Sequence, residues 1–215
     1  SCALSAVCWT PARAEPAKPL QAAAFEVFHP KVKLRWDDSF LYVESNGLPS
    51  HNMMVGITAW QQQVPLPQLY TGDNAWRVPL HPVPAKEPQT IEGSFLRGAV
   101  ALAANGIPIF NPQNNRGEVS AEIGELDQWG GHCGRGDDYH YHVAPLHLQK
   151  VLGKSRPIAW ALDGYPIYGL TEPDGSVIAW GDTNAAAWRV PMGLQRIGEL
   201  AAGAYHLVAL QQFPD

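Results

Sequence analysis

Gly130-Gly131-His132-Cys133-Gly134-Arg135-Gly136-Asp137-Asp138-Tyr139-His140-Tyr141-His142 gathers three of the chain's eight histidines. Taken as extended, the segment from Tyr139 onward points successive side chains to opposite faces. His140 and His142 then share one face, and Tyr139 and Tyr141 share the other. His132 can return to the histidine face across Gly134 and Gly136. Two imidazoles side by side on a strand, with a third brought back by a glycine-rich loop, form the kind of face that binds a metal ion.

The rest of the chain agrees with a strand at this point. It contains 20 glycines and 19 prolines, and long amphipathic periodicity is scarce, so many short strands joined by turns are expected. Strands are predicted over 24–29, 32–36, 40–44, 98–103, 139–143, 158–162, 176–180 and 205–210, with Asp37-Asp38 turning between the second and third. Helices should be few and short. One is expected over 146–152, closed by Gly153, and Asn184 can open a turn that runs to Trp188. The fold class is therefore mainly β, or α+β if the short helices count, in a single compact domain. Val64 to Pro67 and Pro79 to Pro88 read as surface connectors.

A diluted internal repeat runs through this domain. Asn46-Gly47-Leu48-Pro49, Asn105-Gly106-Ile107-Pro108 and Asp163-Gly164-Tyr165-Pro166 share one pattern at nearly equal spacing. Asn/Asp-Gly supplies a turn with positive φ, and the following x-Pro enforces an extended exit. Ala75-Trp76-Arg77-Val78-Pro79 recurs as Ala187-Trp188-Arg189-Val190-Pro191, and Gly124-Glu125-Leu126 recurs as Gly198-Glu199-Leu200. The second Gly-Glu-Leu leads to Tyr205-His206, which makes His206 a secondary candidate equivalent to His142.

Composition bounds the function. A net charge of −5, with 15 basic against 20 acidic residues, lacks the basic face that displaces phosphate counterions, so nucleic acid is not an expected partner. No apolar run is long enough to span a bilayer. Residues 1–14 read as a signal-peptide remnant, with Ala12-Arg13-Ala14 as the small-x-small cleavage pattern. Residues 15–24 then form a flexible N-terminal linker and residues 25–215 the β-rich domain. Export implies a periplasmic or secreted location and leaves Cys133 as a lone thiol, because cleavage removes Cys2 and Cys8.

The metal ligands predicted are His132, His140 and His142. Asp127, Asp137 and Asp138 stand nearby as a carboxylate ligand or as acceptors that fix the histidine tautomers. Tyr139, Tyr141, Asp163, His51 and Cys133 complete the secondary candidates. Each has a plainer role: core packing for the tyrosines, turn stabilisation for Asp163 and burial for Cys133. The histidines themselves could instead be hydrogen-bonded groups on a half-exposed sheet. Zinc or copper suits the imidazole set, ahead of iron or manganese. No nucleophile elbow, phosphate loop, dinucleotide fingerprint or His-Glu-x-x-His helix is present, so no nucleotide cofactor is expected.

The cluster, with Asn105-Gly106-Ile107-Pro108-Ile109-Phe110, Gly131-His132 and Ala161-Leu162-Asp163-Gly164-Tyr165-Pro166-Ile167-Tyr168-Gly169, resembles the YHYH domain family, named for residues such as those at Tyr139 to His142. The resemblance is most specific over 98–170 and extends more loosely from Phe25 onward. Its members are typically bacterial exported proteins, which implies the same of this chain, but it implies neither a reaction nor a metal. Members often carry a cysteine before the Gly-His, where Trp129 stands here, and many repeat the motif near the C-terminus, where only Tyr205-His206 and Phe213-Pro214 resemble it. Three functions stay open: a metal-dependent hydrolase or oxidoreductase, a non-catalytic module binding metal, glycan or an extracellular partner, and a structural domain.

Overall fold

The histidine stretch folds as a β-hairpin inside a six-stranded sheet. The computed structural model describes residues 16–169, 197–203 and 206–211. The chain opens with α1 (Ala22–Phe25), followed by a 3-10 turn over Glu26–Phe28. β1 (Lys33–Trp36), β2 (Phe40–Glu44) and β3 (Trp76–Pro79) form one antiparallel sheet in that order. β4 (Ala99–Ala103), β5 (Pro108–Phe110), β6 (Gly131–Cys133), β7 (Tyr139–Tyr141), β8 (Ala159–Ala161) and β9 (Pro166–Ile167) form the second, in the order β6-β7-β5-β4-β8-β9. α2 (Gln149–Leu152) lies between β7 and β8, while β10 (Ile197–Gly203) and β11 (His206–Gln211) pair with each other. Two short α-helices against so many strands make the described chain β-rich.

Local signals explain most of these elements. In β2 the burial alternates, with Leu41 and Val43 inward, as a half-buried strand demands. Asp37 Oδ1 accepts from the backbone amides of Ser39 and Phe40, which closes the turn between β1 and β2. The second and third copies of the Asn/Asp-Gly-x-Pro pattern are hairpin turns, joining β4 to β5 and β8 to β9. Their central glycines, Gly106 and Gly164, adopt φ of 79° and 98°. A side chain there is also excluded by space: an added Cβ would lie 2.7 Å from Ser45 Cβ at Gly106 and 2.7 Å from the Pro79 carbonyl at Gly164. The two hairpin tips thus seat the six-stranded sheet against the β2–β3 sheet. The first copy follows β2 without starting a strand.

The two sheets share one core. Phe25, Leu41, Val43, Val78, Leu102, Ile107, Ile158, Tyr139 and Tyr141 are fully buried in a single cluster. Each large apolar side chain placed there contributes about 1.5–3 kcal/mol relative to exposure. Phe25 stacks on Trp160 with ring centroids 5.0 Å apart, which ties α1 to β8.

Several expectations need correction. The segment 24–29 is helical rather than a strand: its alanines bury readily on a short helix, and Ala22 and Ala24 are in the core. β3, β5, β6, β9 and β10 are not among the predicted strands; proline ends β3 and opens β5 and β9, and glycine opens β6, all poor strand signals. The predicted 146–152 helix is a 3-10 turn over Leu146–Leu148 continuing into α2, with Gly153 at φ 77° closing it. The predicted elements at 176–180 and 184–188, the second Trp-Arg-Val-Pro copy and residues 1–14 lie outside the described residues. The strand predicted at 205–210 is β11, which pairs Gly203 with His206.

Candidate metal centre

β6 and β7 pair antiparallel with Gly131 opposite Tyr141, His132 opposite His140 and Cys133 opposite Tyr139. Register alone therefore sets His132 beside His140 on one face. His142 follows β7, and its amide donates to the Gly130 carbonyl, which prolongs the hairpin by one step. All three histidines are buried, at 4%, 3% and 5% exposure. Their ligand atoms lie within 4.8 Å of one another. The Nε2 of His142 is 3.2 Å from that of His140 and 3.1 Å from that of His132.

The other ring nitrogens decide what these contacts mean. His142 Nδ1 lies 2.5 Å from the Asn111 carbonyl, and His140 Nδ1 lies 3.0 Å from the Asp138 carbonyl. A carbonyl oxygen can only accept, so both Nδ1 atoms carry the proton and donate. In the neutral rings both Nε2 atoms are then bare lone pairs, facing each other at hydrogen-bond distance with no proton between them. A proton on His142 would relieve this, but burial disfavours that charge. Burial, and then the neighbouring histidines, push His132 down to about 3, and burial pushes His142 down to about 4. His132 Nδ1 is buried without a hydrogen bond of ordinary geometry, although the Glu125 carbonyl is close enough to act on the ring. The donor set is thus three imidazole nitrogens converging on a point that suits a cation.

Surrounding groups hold the rings. Phe110 stacks on His140 with centroids 3.9 Å apart and planes 15° apart. Trp60 packs on His132 at 4.8 Å, and its indole N–H donates to the Cys133 carbonyl at 2.8 Å. Asp138 Oδ2 lies 3.5 Å from His140 Nδ1, so this carboxylate backs the histidine rather than sharing its ligand face. Asn111 is buried, and its side chain donates to the carbonyls of Ile91 and Ser94 at 2.6 and 2.7 Å. One residue thereby fixes both the orientation of His142 and the 91–98 loop. The histidines open onto a cavity of about 370 Å³, walled also by Phe110, Trp60, Glu125 and three arginines.

The remaining candidates lie elsewhere. Tyr139 and Tyr141 occupy the opposite face of β7. Tyr139 donates to Asp127 Oδ2 at 2.8 Å, and Tyr141 donates to His51 Nε2 at 2.8 Å. His51 stacks on Trp129 at 4.8 Å, and this places it with the tyrosines instead of the triad. Asp127 also accepts from the amides of Met54, Trp129 and Gly131, so its buried charge is compensated by four donors. Asp137 accepts from Gln63 Nε2 at 3.0 Å. Cys133 follows His132 on β6 and so points to the opposite face, into the core, where burial pushes its thiol up to about 12. Asp163 is exposed in the β8–β9 turn. His206 is on β11, and its side chain lies outside the described residues.

Sequence reasoning missed Asn111, Trp60, Phe110, Glu125 and the rim arginines. Glu125, 1% exposed, receives Arg116 at 2.6 Å together with Ser120 and Asn114. Trp60, Arg97, Phe110 and Asn111 come from other segments, and only tertiary structure brings them to the histidines, whereas Arg135 lies in the histidine hairpin itself. Among the described residues no helix is long and apolar enough to cross a membrane.

The family model described as "YHYH protein" matches residues 75–179, a span that contains the whole six-stranded sheet and the histidine triad. No curated protein and no solved structure matches the chain.

Proposed function

We propose that, within the span matched by the YHYH family model (residues 75–179), His132, His140 and His142 hold one transition-metal ion for chemistry on a small ligand. The observation that carries this reading is the convergence of the Nε2 atoms at 3.1 and 3.2 Å while two of the Nδ1 atoms donate to carbonyls. Carbonyls that fix the tautomer in this way are the usual outer partners of metal-binding histidines. A set of three imidazoles suits zinc or copper best, with iron or manganese less favoured. When bound, zinc supplies Lewis acidity and a water acidified toward neutral pH, whereas copper or iron supplies redox chemistry.

The chain's own residues then have defined tasks. The three Nε2 atoms bind, while Asn111 and Asp138 hold His142 and His140 in the required tautomer. Phe110 and Trp60 restrict ring rotation and exclude water from one side. Three protein ligands leave a coordination position free for water or substrate, the arrangement of catalytic rather than structural sites, and the cavity gives a small molecule room to reach it. A metal-dependent hydrolase or oxidoreductase is the reading this favours.

One observation supports the alternative, a non-catalytic binding module. Glu125, the carboxylate lining the cavity, is engaged by Arg116, Asn114 and Ser120, so it is poorly placed to act as a general base. An exported location belongs to the same proposal, because the fully buried thiol of Cys133 is no liability in an oxidising compartment.

Metal analysis of protein purified without a polyhistidine tag tests the proposal. It predicts about one zinc or copper per chain, present or taken up on titration. Less than about one-tenth of a metal per chain, with no uptake of zinc, copper, iron or manganese, would contradict it. Turnover of ester or phosphoester substrates, or of redox dyes, by the loaded protein separates the enzyme from the binding module.

A further inference from the structure

The cavity beside the histidines differs in charge from the molecule around it. The whole chain is acidic, with a net charge of −5. Among the charged residues lining the cavity are Arg97, Arg116 and Arg135, against the single carboxylate of Glu125. Arg116 is committed, since it pairs with Glu118 and with Glu125. Arg97 and Arg135 are exposed and have no hydrogen-bond or ion-pair partner among the described residues. Two guanidinium groups are therefore left facing a concave site in a protein with carboxylates to spare elsewhere.

Neither arginine is placed independently of the histidines. Arg135 sits in the loop of the hairpin whose strands carry His132 and His140, and Gln63 Nε2 holds that loop through the Gly134 carbonyl at 2.6 Å. Arg97 belongs to the 91–98 loop, which the Asn111 side chain anchors at Ile91 and Ser94. The Asn111 carbonyl takes the His142 Nδ1 proton. Two different segments thus deliver one guanidinium each to the mouth of the same site, each tethered to a ligand histidine. The walls between them are aromatic, from Phe110 and Trp60, and admit the apolar body of a small molecule.

We propose that this site takes a small molecule bearing a carboxylate or phosphate group, with Arg97 and Arg135 binding the oxyanion while the molecule approaches the histidine face. The inference rests on the metal reading, which supplies the reason for a ligand to enter. Guanidinium suits this chemistry because its planar fork meets carboxylate or phosphate with two parallel hydrogen bonds, and charge assistance makes these stronger than neutral ones. The cavity is too small for a polymer to enter, so the ligand is a free small molecule or a terminal group.

Cobalt(II) in place of the native metal makes the test visible, because its absorption spectrum changes when a ligand enters its coordination sphere. Cobalt content is measured first, on the wild-type chain and on Arg97→Gln, Arg135→Gln and the double variant. Each loaded protein is then titrated with malonate and, separately, with inorganic phosphate. Arg156→Gln, which removes an exposed arginine outside the cavity, controls for net charge. The expected result is a saturable spectral change with at least one of the two anions, weakened by added salt. Each single variant should weaken it by about tenfold and the double variant by more, while Arg156→Gln binds as wild type does. A malonate response alone assigns a carboxylate ligand, and a phosphate response alone a phosphorylated one. Cobalt uptake with no response to either anion, or a response equal in wild type and double variant, overturns this inference and leaves the metal reading standing. No cobalt uptake by the wild-type chain overturns both.

Discussion

The two faces of β7 carry neighbouring residues under the same burial, yet they resolve their polar groups in opposite ways. On the tyrosine face each hydroxyl has a protein partner: Tyr139 donates to Asp127, and Tyr141 donates to His51 and accepts from Asn105 Nδ2. On the histidine face the outer nitrogens of His140 and His142 are satisfied, but the inner Nε2 atoms meet only one another. A buried polar group without a partner costs about 1–3 kcal/mol. The tyrosine face is therefore complete as folded, whereas on the histidine face the Nε2 atoms of His140 and His142 are left without a proton to share, a place the proposed metal ion would take. Alternation on one short strand thus separates a satisfied face from the candidate metal face.

Acid should separate the two faces most strongly. Folded His132 and His142 stay neutral well below the usual range, at about 3 and about 4, whereas in the unfolded chain both take up protons near pH 6.5. The unfolded state then binds more protons, so stability is full above about pH 6.5 and falls as the pH drops toward the folded values. For the metal-free protein the two rings together should cost about 4 kcal/mol between pH 7 and pH 5. Burial raises Tyr139 and Tyr141 further above neutrality, so the tyrosine face contributes nothing in this window. Denaturant melts at a series of pH values check this, and a flat profile would break the distinction.

Substitution on each face should then give opposite signatures. His142→Ala removes a ligand and should lower zinc affinity by at least about 100-fold, since even outer partners of ligating histidines account for about 10–100-fold. Tyr139→Phe removes a donor from buried Asp127 and should destabilise the fold by about 1–3 kcal/mol while leaving zinc affinity unchanged. Calorimetric melting and competition with a chelating dye measure both quantities on both variants. Asp138→Ala should have the smallest effect, about a tenfold loss of zinc affinity, because the backbone carbonyl of residue 138 still holds His140. If Tyr139→Phe cost more zinc affinity than His142→Ala, the roles of the two faces would be reversed.

How far the sequence reached depended on whether a signal was local. Phe40 to Glu44 alternates cleanly and lies on one strand with the predicted boundaries. Asn105-Gly106 and Asp163-Gly164 turn two hairpins because their chemistry allows little else. Gly131-His132-Cys133 was hidden, since its strand character comes from the partner β7 and not from its own residues. The parallel pairing of β5 with β7, Ile109 beside Tyr141, is a long-range choice with no short-range mark. The site divides in the same way. The spacing of His140 and His142 on an extended segment is visible in the sequence, and the glycines hint at the return of His132. Trp60 and Arg97 are separated from the cluster by intervening strands, Asn111 and Glu125 lie in the long β5–β6 connection, and the roles of all four exist only once the sheet has closed.

The three Nε2 atoms, with the Nδ1 atoms of His140 and His142 protonated behind them, are proposed to form one cation site. Histidine side-chain nitrogen NMR during zinc titration tests it most directly, because bare, protonated and metal-bound nitrogens resonate apart. The account predicts that the Nε2 signals of His132, His140 and His142 move together and saturate at one zinc per chain, while Nδ1 of His140 and His142 keep their protons. Binding through Nδ1, movement of only one of the three rings, or no change up to excess zinc would contradict it.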